Sequence, residues 1–200
     1  MTEESFLKDV SAHQMTVLND TGLYRHLRFA SVGSDGKPHW NQYFTLTTFP
    51  DHLVFSGDMG TYVFTRLQDM FEFFRGKPDG PLQINPDYWG GKCLAADKAT
   101  GGDIMAYSSE KFKAVVTEIF NDHEFESATE KELCWLAIED EVLCGEGEHE
   151  AYSLAGQFQF QGEHFFHDFW EHRLREYTGR YLWCCFAIVW GIRQYDAAKT

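Results

Sequence analysis

Tyr181-Leu-Trp-Cys-Cys-Phe-Ala-Ile-Val-Trp-Gly-Ile192 is apolar on every side of a helical projection, not along one stripe. A helix of that kind has to be surrounded by other elements. Arg173, Arg175 and Arg180 precede the run and Arg193 closes it. It is therefore well short of the roughly 20 residues that a membrane span requires. The reading is a central core helix, with earlier parts of the chain packed around it.

What precedes it decides the class. Met15–Leu18, Leu23–Ser31, His39–Phe49 and Leu53–Ser56 read as strands, separated by Asn19–Gly22, Gly33–Pro38 and Pro50-Asp51. In the second of these, Leu23, Arg25, Leu27 and Phe29 fall on one face, and Tyr24, His26 and Arg28 on the other. In the third, Trp40, Phe44 and Leu46 alternate with Asn41, Tyr43 and Thr45, the period of two expected when one face is buried. Helical signals dominate afterwards. Leu67, Met70, Phe71 and Phe74 keep helical spacing up to Gly76, and Asn85-Pro86 is a helix start. Phe112, Val115, Val116, Ile119 and Phe120 form the clearest apolar stripe, and Ser127-Ala-Thr-Glu130 a capping box for a helix to about Leu143. Short helices are expected over residues 4–12 and Glu148–Gly156, and two more close the chain, about Phe165–Glu176 and Thr178–Ala197. Strands first and helices after predict an α+β fold. It has an N-terminal antiparallel sheet of three or four strands, then a helical layer with the apolar C-terminal helix at its centre. Residues 1–200 are expected to form a single domain, with no repeat or linker in view.

Charge narrows the partners. The chain carries 31 acids against 17 Lys and Arg, a net −14. Eleven of the acids lie between Asn121 and Glu150, where Lys131 is the sole Lys or Arg. Such a surface repels nucleic acid and anionic membranes and suits a basic protein partner. Met1-Thr-Glu-Glu-Ser5 is polar and acidic, so neither a signal peptide nor a membrane anchor is expected, and the location predicted is cytoplasmic. Five cysteines, without a Cys-x-x-Cys pair and mostly within apolar runs, are expected to be reduced and buried.

Three groups of residues carry candidate chemistry. Tyr24, Arg25, His26, Arg28, His39, Trp40 and Tyr43 put guanidinium forks and aromatic faces on the first sheet, the combination that planar anions such as nucleotides require. Their alternative is a solvated face whose arginines pair with acidic helices. On the expected helix over 165–176, His164, His167, Asp168, Glu171 and His172 share a polar face. His164, His167, Asp168 and His172 would be the ligands of a metal-dependent hydrolase. An ordinary solvated face explains the same pattern and is preferred. Ser56-Gly-Asp-Met-Gly-Thr61, read as a strand-to-helix loop, lacks both the P-loop and dinucleotide spacings, so a plain turn is preferred over a phosphate cradle. No cofactor is implied.

Thr16–Phe29, Asp69-Met-Phe-Glu-Phe-Phe-Arg-Gly76, Ile84-Asn-Pro-Asp-Tyr-Trp89 and the stretch from Tyr181 to Asp196 together resemble an uncharacterised family of proteins encoded by tailed bacteriophages and prophages. The likeness spans nearly the whole chain, although the family's Trp-Pro-Gly-His turn is replaced by Phe49-Pro-Asp-His52. The resemblance implies a host bacterial cytoplasm as the working place and carries no established activity. By analogy with small phage proteins, the expectation is an accessory protein that binds and does not catalyse. It would sequester a host-made small anionic ligand of nucleotide type to counter host defence, through Tyr24, Arg25, His26, Arg28, Trp40 and Tyr43. The alternative is an acidic inhibitor, or nucleic-acid mimic, that captures a host protein. Whether a ligand pocket lies within one chain or between two copies stays open.

Overall fold

The computed structural model describes residues 1–33, 36–99 and 101–199. In chain order it runs α1 (Glu3–Asp9), β1 (His13–Thr21), β2 (Tyr24–Val32), β3 (Pro38–Phe49), β4 (His52–Gly57), β5 (Gly60–Thr65), α2 (Met70–Phe74), α3 (Pro86–Gly90) and β6 (Cys93–Ala96). There follow β7 (Met105–Tyr107), α4 (Ser109–Asp122), α5 (Ala128–Glu141), α6 (Glu148–Gln157), β8 (Gln159–Phe160), β9 (Glu163–His164), a 3₁₀ turn (Phe169–Glu171), β10 (Arg175–Tyr177) and α7 (Gly179–Ala197). The chain is α+β, and its N-terminal antiparallel sheet has six strands in the order β1-β2-β3-β4-β5-β6, not three or four. Among the described residues, no helix is long and apolar enough to cross a membrane. Ser34 and Asp35, central to the expected turn between β2 and β3, lie outside the described residues.

The chain divides into two compact units, residues 1–104 with 177–200, and residues 105–176. In the first, α7 lies on the inner face of the sheet, buried on all sides: Tyr181, Trp183, Cys184, Cys185, Ile188, Val189 and Ile192 are at most 1% exposed. Thr178 caps it, accepting a hydrogen bond from the Tyr181 N–H at 3.1 Å. The sheet meets α7 with a run of stacked rings, Phe29 on Phe44 (4.6 Å) and Phe44 on Phe55 (5.4 Å). Gly191 is what permits the approach. A Cβ there would stand 2.9 Å from Leu46 Cδ1 and 3.1 Å from Phe29 Cζ, too near for any larger residue to fit without displacement. Polar groups on and around the helix find partners at the periphery. Trp183 Nε1 donates to Asp9 (2.9 Å), the Tyr181 hydroxyl to the Pro86 carbonyl (2.9 Å), and the Tyr195 hydroxyl to Asp20 (2.7 Å).

The second unit has a separate core, in which Phe112, Val116 and Phe120 of α4 pack with Cys134, Ile138, Ala151, Phe158, Phe166, Phe169 and Leu174. The helices of residues 105–176 enclose this cluster. The Ser127 cap is present, accepting from Glu130 N–H at 3.1 Å, while the Glu130 carboxylate accepts from Glu126 N–H. The helix expected over 165–176 does not form. Asp168 adopts a left-handed backbone (φ 51°), Phe169–Glu171 makes one 3₁₀ turn, and Arg175–Tyr177 is a strand paired with β7. The apolar spacing of Phe165, Phe166 and Phe169 is satisfied instead by an irregular segment that buries all three rings.

Candidate functional site

Register places the site. Across the sheet, Thr16, Arg28, Thr45, Ser56 and Thr61 make one row, and His26, Thr47, Val54 and Val63 the next. Phe49, His52 and Thr65 continue a third row beside Tyr24. With period two, all of these point away from α7 and build the outer face. Their inner neighbours, Leu27, Leu46 and Phe55, are fully buried. The outer face has an unusual composition: in a chain with 31 acids, no residue of β2, β3, β4, β5 or β6 is Asp or Glu. It presents hydroxyls, imidazoles, aromatic rings and one guanidinium.

That guanidinium is Arg28. Its carbon lies 5.7 Å from the Trp40 ring centroid, and among the described residues it has no carboxylate partner. Trp40 in turn meets Tyr43 edge-to-face at 5.2 Å. Trp40 was expected on the buried face with Phe44 and Leu46, yet it is 54% exposed. The cause is Gln42, whose φ of 55° breaks the alternation. The kink is held by hydrogen bonds from Gln42 N–H to Asp58 (3.0 Å) and between His13 Nε2 and the Gln42 carbonyl (3.0 Å). Burial lowers the His13 pKa, so the imidazole is neutral where it braces this kink. The bend turns Trp40 onto the same side as Arg28. His26 lies one row away, its Nδ1 2.8 Å from the Thr47 hydroxyl. Tyr24, 56% exposed, stands four residues from Arg28, about 13 Å along the strand.

Arg25 does not belong to this group. It points to the inner face, is 9% exposed, and gives both terminal nitrogens to Asp69 at 2.9 and 2.8 Å, with its guanidinium carbon 4.6 Å from the Phe71 ring centroid. Asp69 also caps α2 by accepting the Phe71 N–H. Arg25 is thus a fixed structural link between β2 and α2, and its place in the ligand set is corrected. The structure brings together Arg28, Trp40, Tyr43 and His26, leaves Tyr24 at the far end, and has His39 exposed at the start of β3, opposite Ser31. Thr45, Thr47, Ser56 and the Phe49–His52 stack (4.7 Å) were missed. Their signal was the period of two in β3 and β4, which places them beside Arg28 and His26 once the register is known.

The helical face that carried the metal alternative does not form. His164 is on β9, while His167, Asp168 and His172 lie on an irregular segment and not on one helical face. Among the described residues, no group of three or more His, Cys, Asp or Glu side chains is placed to hold a metal ion. Ser56–Thr61 is also not a strand-to-helix loop: it joins β4 to β5 as a tight hairpin, with Gly57 opposite Gly60. Among the described residues, no helix N-terminus stands behind it. All five cysteines are free, with Cys134, Cys184 and Cys185 buried, Cys93 half-buried and Cys144 exposed, contrary to the uniform burial expected.

Compared with known proteins, the chain matches no family model, no curated protein and no solved structure.

Proposed function

We propose that the protein is a binding protein and not a catalyst, and that it takes a small planar anion of nucleotide type on the outer face of its sheet. The observation that carries this reading is Arg28, unpaired by any described carboxylate, beside the exposed Trp40 and the half-buried Tyr43 on a face free of Asp and Glu. A guanidinium with unspent donors takes phosphate or carboxylate oxygens in a fork, while the indole offers a stacking face to the base. His26 adds a ring nitrogen one row away. Within the phage resemblance, the ligand is a host-made signal and the biological role is its sequestration in the host cytoplasm. Calorimetry against a panel of mono-, di- and cyclic nucleotides tests the reading. Arg28→Ala and Trp40→Ala are each expected to weaken binding at least tenfold with little loss of stability, since both are surface changes. Equal affinity in the wild type and both variants, or no binding by any nucleotide, removes it.

A second reading rests on α5. Glu132, Leu133, Leu136, Glu139 and Asp140 form one exposed face, with Leu133 57% and Leu136 55% exposed between carboxylates. Two apolar anchors inside an acidic field suit a host protein that offers a basic rim around an apolar groove. Replacing Glu139, Asp140 and Glu141 with Gln should slow association with such a partner and leave nucleotide binding unchanged. Full biological activity of that triple variant would make the helix face only a solvated one.

A further inference from the structure

The strands of the six-stranded sheet carry two Lys or Arg residues between them, Arg25 and Arg28. Arg25 is spent on Asp69 at the inner face. The strands therefore lend the outer face one guanidinium, that of Arg28. Their one acid is Asp20 on β1, and it too is engaged: its carboxylate accepts from the Tyr195 hydroxyl at 2.7 Å and pairs with Lys199 at 2.9 Å.

The neighbours of Arg28 along its row are hydroxyls. Register sets Thr16 of β1 on one side of it and Thr45 of β3 on the other, each about 5 Å away across the sheet. The Thr45 hydroxyl is already used, 2.9 Å from that of Ser56. Thr16 is exposed, and among the described residues its hydroxyl makes no hydrogen bond. Arg28 and Thr16 thus put a guanidinium fork and a hydroxyl donor side by side, with the exposed Trp40 ring 5.7 Å from the guanidinium carbon.

Such a set discriminates by charge. Sites for nucleoside di- and triphosphates gather several cations, or hold Mg²⁺ between carboxylates and the phosphates. The strands supply neither, since Arg28 is their one outer cation and β2–β6 have no Asp or Glu. Asp58, in the β4–β5 turn, donates its N–H to the Tyr43 carbonyl and accepts the Gln42 N–H, so the Tyr43 end of the site carries a negative charge.

We propose that the ligand of the outer face is singly charged, a phosphodiester of the cyclic mononucleotide kind, with its phosphate on Arg28 and Thr16 and its base on Trp40. This rests on the nucleotide reading above and narrows it to one charge class. A phosphodiester has one negative charge and two non-bridging oxygens, which one guanidinium and one hydroxyl satisfy. A further phosphate would leave water for strands with no second cation to receive it, in a chain of net −14.

Calorimetry with the full chain compares, for each of the common bases, the nucleoside, its 3′,5′-cyclic monophosphate, its diphosphate and its triphosphate, in EDTA and in Mg²⁺. For the preferred base, the cyclic monophosphate is expected to bind at least tenfold tighter than the nucleoside and at least threefold tighter than the di- or triphosphate, with no change on adding Mg²⁺. Arg28→Ala should bring the cyclic monophosphate down to the level of the nucleoside. Thr16→Val, which suits an exposed strand position, should weaken the cyclic monophosphate at least threefold and leave the nucleoside unchanged. A di- or triphosphate that binds as tightly as the cyclic monophosphate, binding that needs Mg²⁺, or an Arg28→Ala variant that still prefers the cyclic monophosphate to the nucleoside would overturn the single-charge assignment. Binding led by the polyphosphates would do so while leaving the nucleotide reading standing, whereas no binding by any of these ligands would overturn both.

Discussion

Arg25 and Arg28 lie three residues apart on β2 and should respond to substitution in opposite ways. Arg25 is 9% exposed, forked onto Asp69 at 2.9 and 2.8 Å, and stacked on Phe71. Arg25→Ala removes the fork and the packing of its aliphatic stem, and leaves a carboxylate, 24% exposed, without its cation. Breaking a buried pair typically costs about 3–5 kcal/mol. Asp69 keeps some water and still caps α2, so about 2–3 kcal/mol is expected here. In a chain of this size that lowers the melting temperature by about 5–10 °C. Arg28→Ala, on the outer face, should stay within about 0.5 kcal/mol of wild type. The cost should also depend on pH. Burial works to raise the Asp69 pKa, but the Arg25 hydrogen bonds and the Phe71 N–H outweigh it, and the net shift is downward. A carboxylate whose folded pKa is depressed contributes its full stability above the unfolded value, about pH 4, and loses it as pH falls through the folded value. The gap between wild type and Arg25→Ala should therefore be constant from neutrality down to about pH 4 and narrow below it. Urea titrations of both variants at pH 7 and pH 3 measure this. Equal destabilisation by the two substitutions, or a gap that widens in acid, would refute the assignment of the two faces.

Gly191→Val should cost about 1–3 kcal/mol by overpacking, because the added Cβ meets Leu46 and Phe29 of the sheet, and thermal melts will show it. Burial pushes the Cys185 thiol up to about 12 and the Cys134 thiol up to about 11, and raises Cys184 well above its ordinary value. Iodoacetamide at pH 8 should therefore label exposed Cys144 in the native protein and reach Cys134, Cys184 and Cys185 only after unfolding, as peptide mass mapping will report. Ser127→Ala removes the acceptor for the Glu130 N–H and should cost about 1 kcal/mol in a denaturant titration.

The apolar C-terminal helix could be read from sequence because its hydrophobicity has no polar side, a pattern that only full enclosure satisfies. The two faces of β2 were equally legible: Arg25 shares its parity with Leu27 and Phe29, and it is indeed inside. Two strands of the six-stranded sheet were lost for different reasons. Thr61-Tyr-Val-Phe-Thr65 of β5 has no sharp polar alternation and follows glycines that suggest a loop, and β6 is four residues long with only its pairing to β5 to define it. Trp40 could not be placed, since the backbone at Gln42 is set by tertiary hydrogen bonds to Asp58 and His13 and has no local signature. The segment after His164 shows the reverse failure. Its helical spacing is real, but burying Phe165, Phe166 and Phe169 in the second unit's core overrides it, and with the helix goes the histidine face. The carboxylate-free outer face was present in the sequence all along and became visible only when register aligned the strands.

The central claim is that the outer face of the sheet around Arg28 is where the protein meets its ligand. An amide-resolved NMR titration of the full chain with the tightest-binding nucleotide of the panel tests it most directly. The account predicts saturable shifts confined to β2 and β3 around His26, Arg28, Trp40, Tyr43 and Thr45, with the indole signal of Trp40 moving and that of buried Trp183 still. Shifts centred on α5, or none at saturating nucleotide, would contradict it.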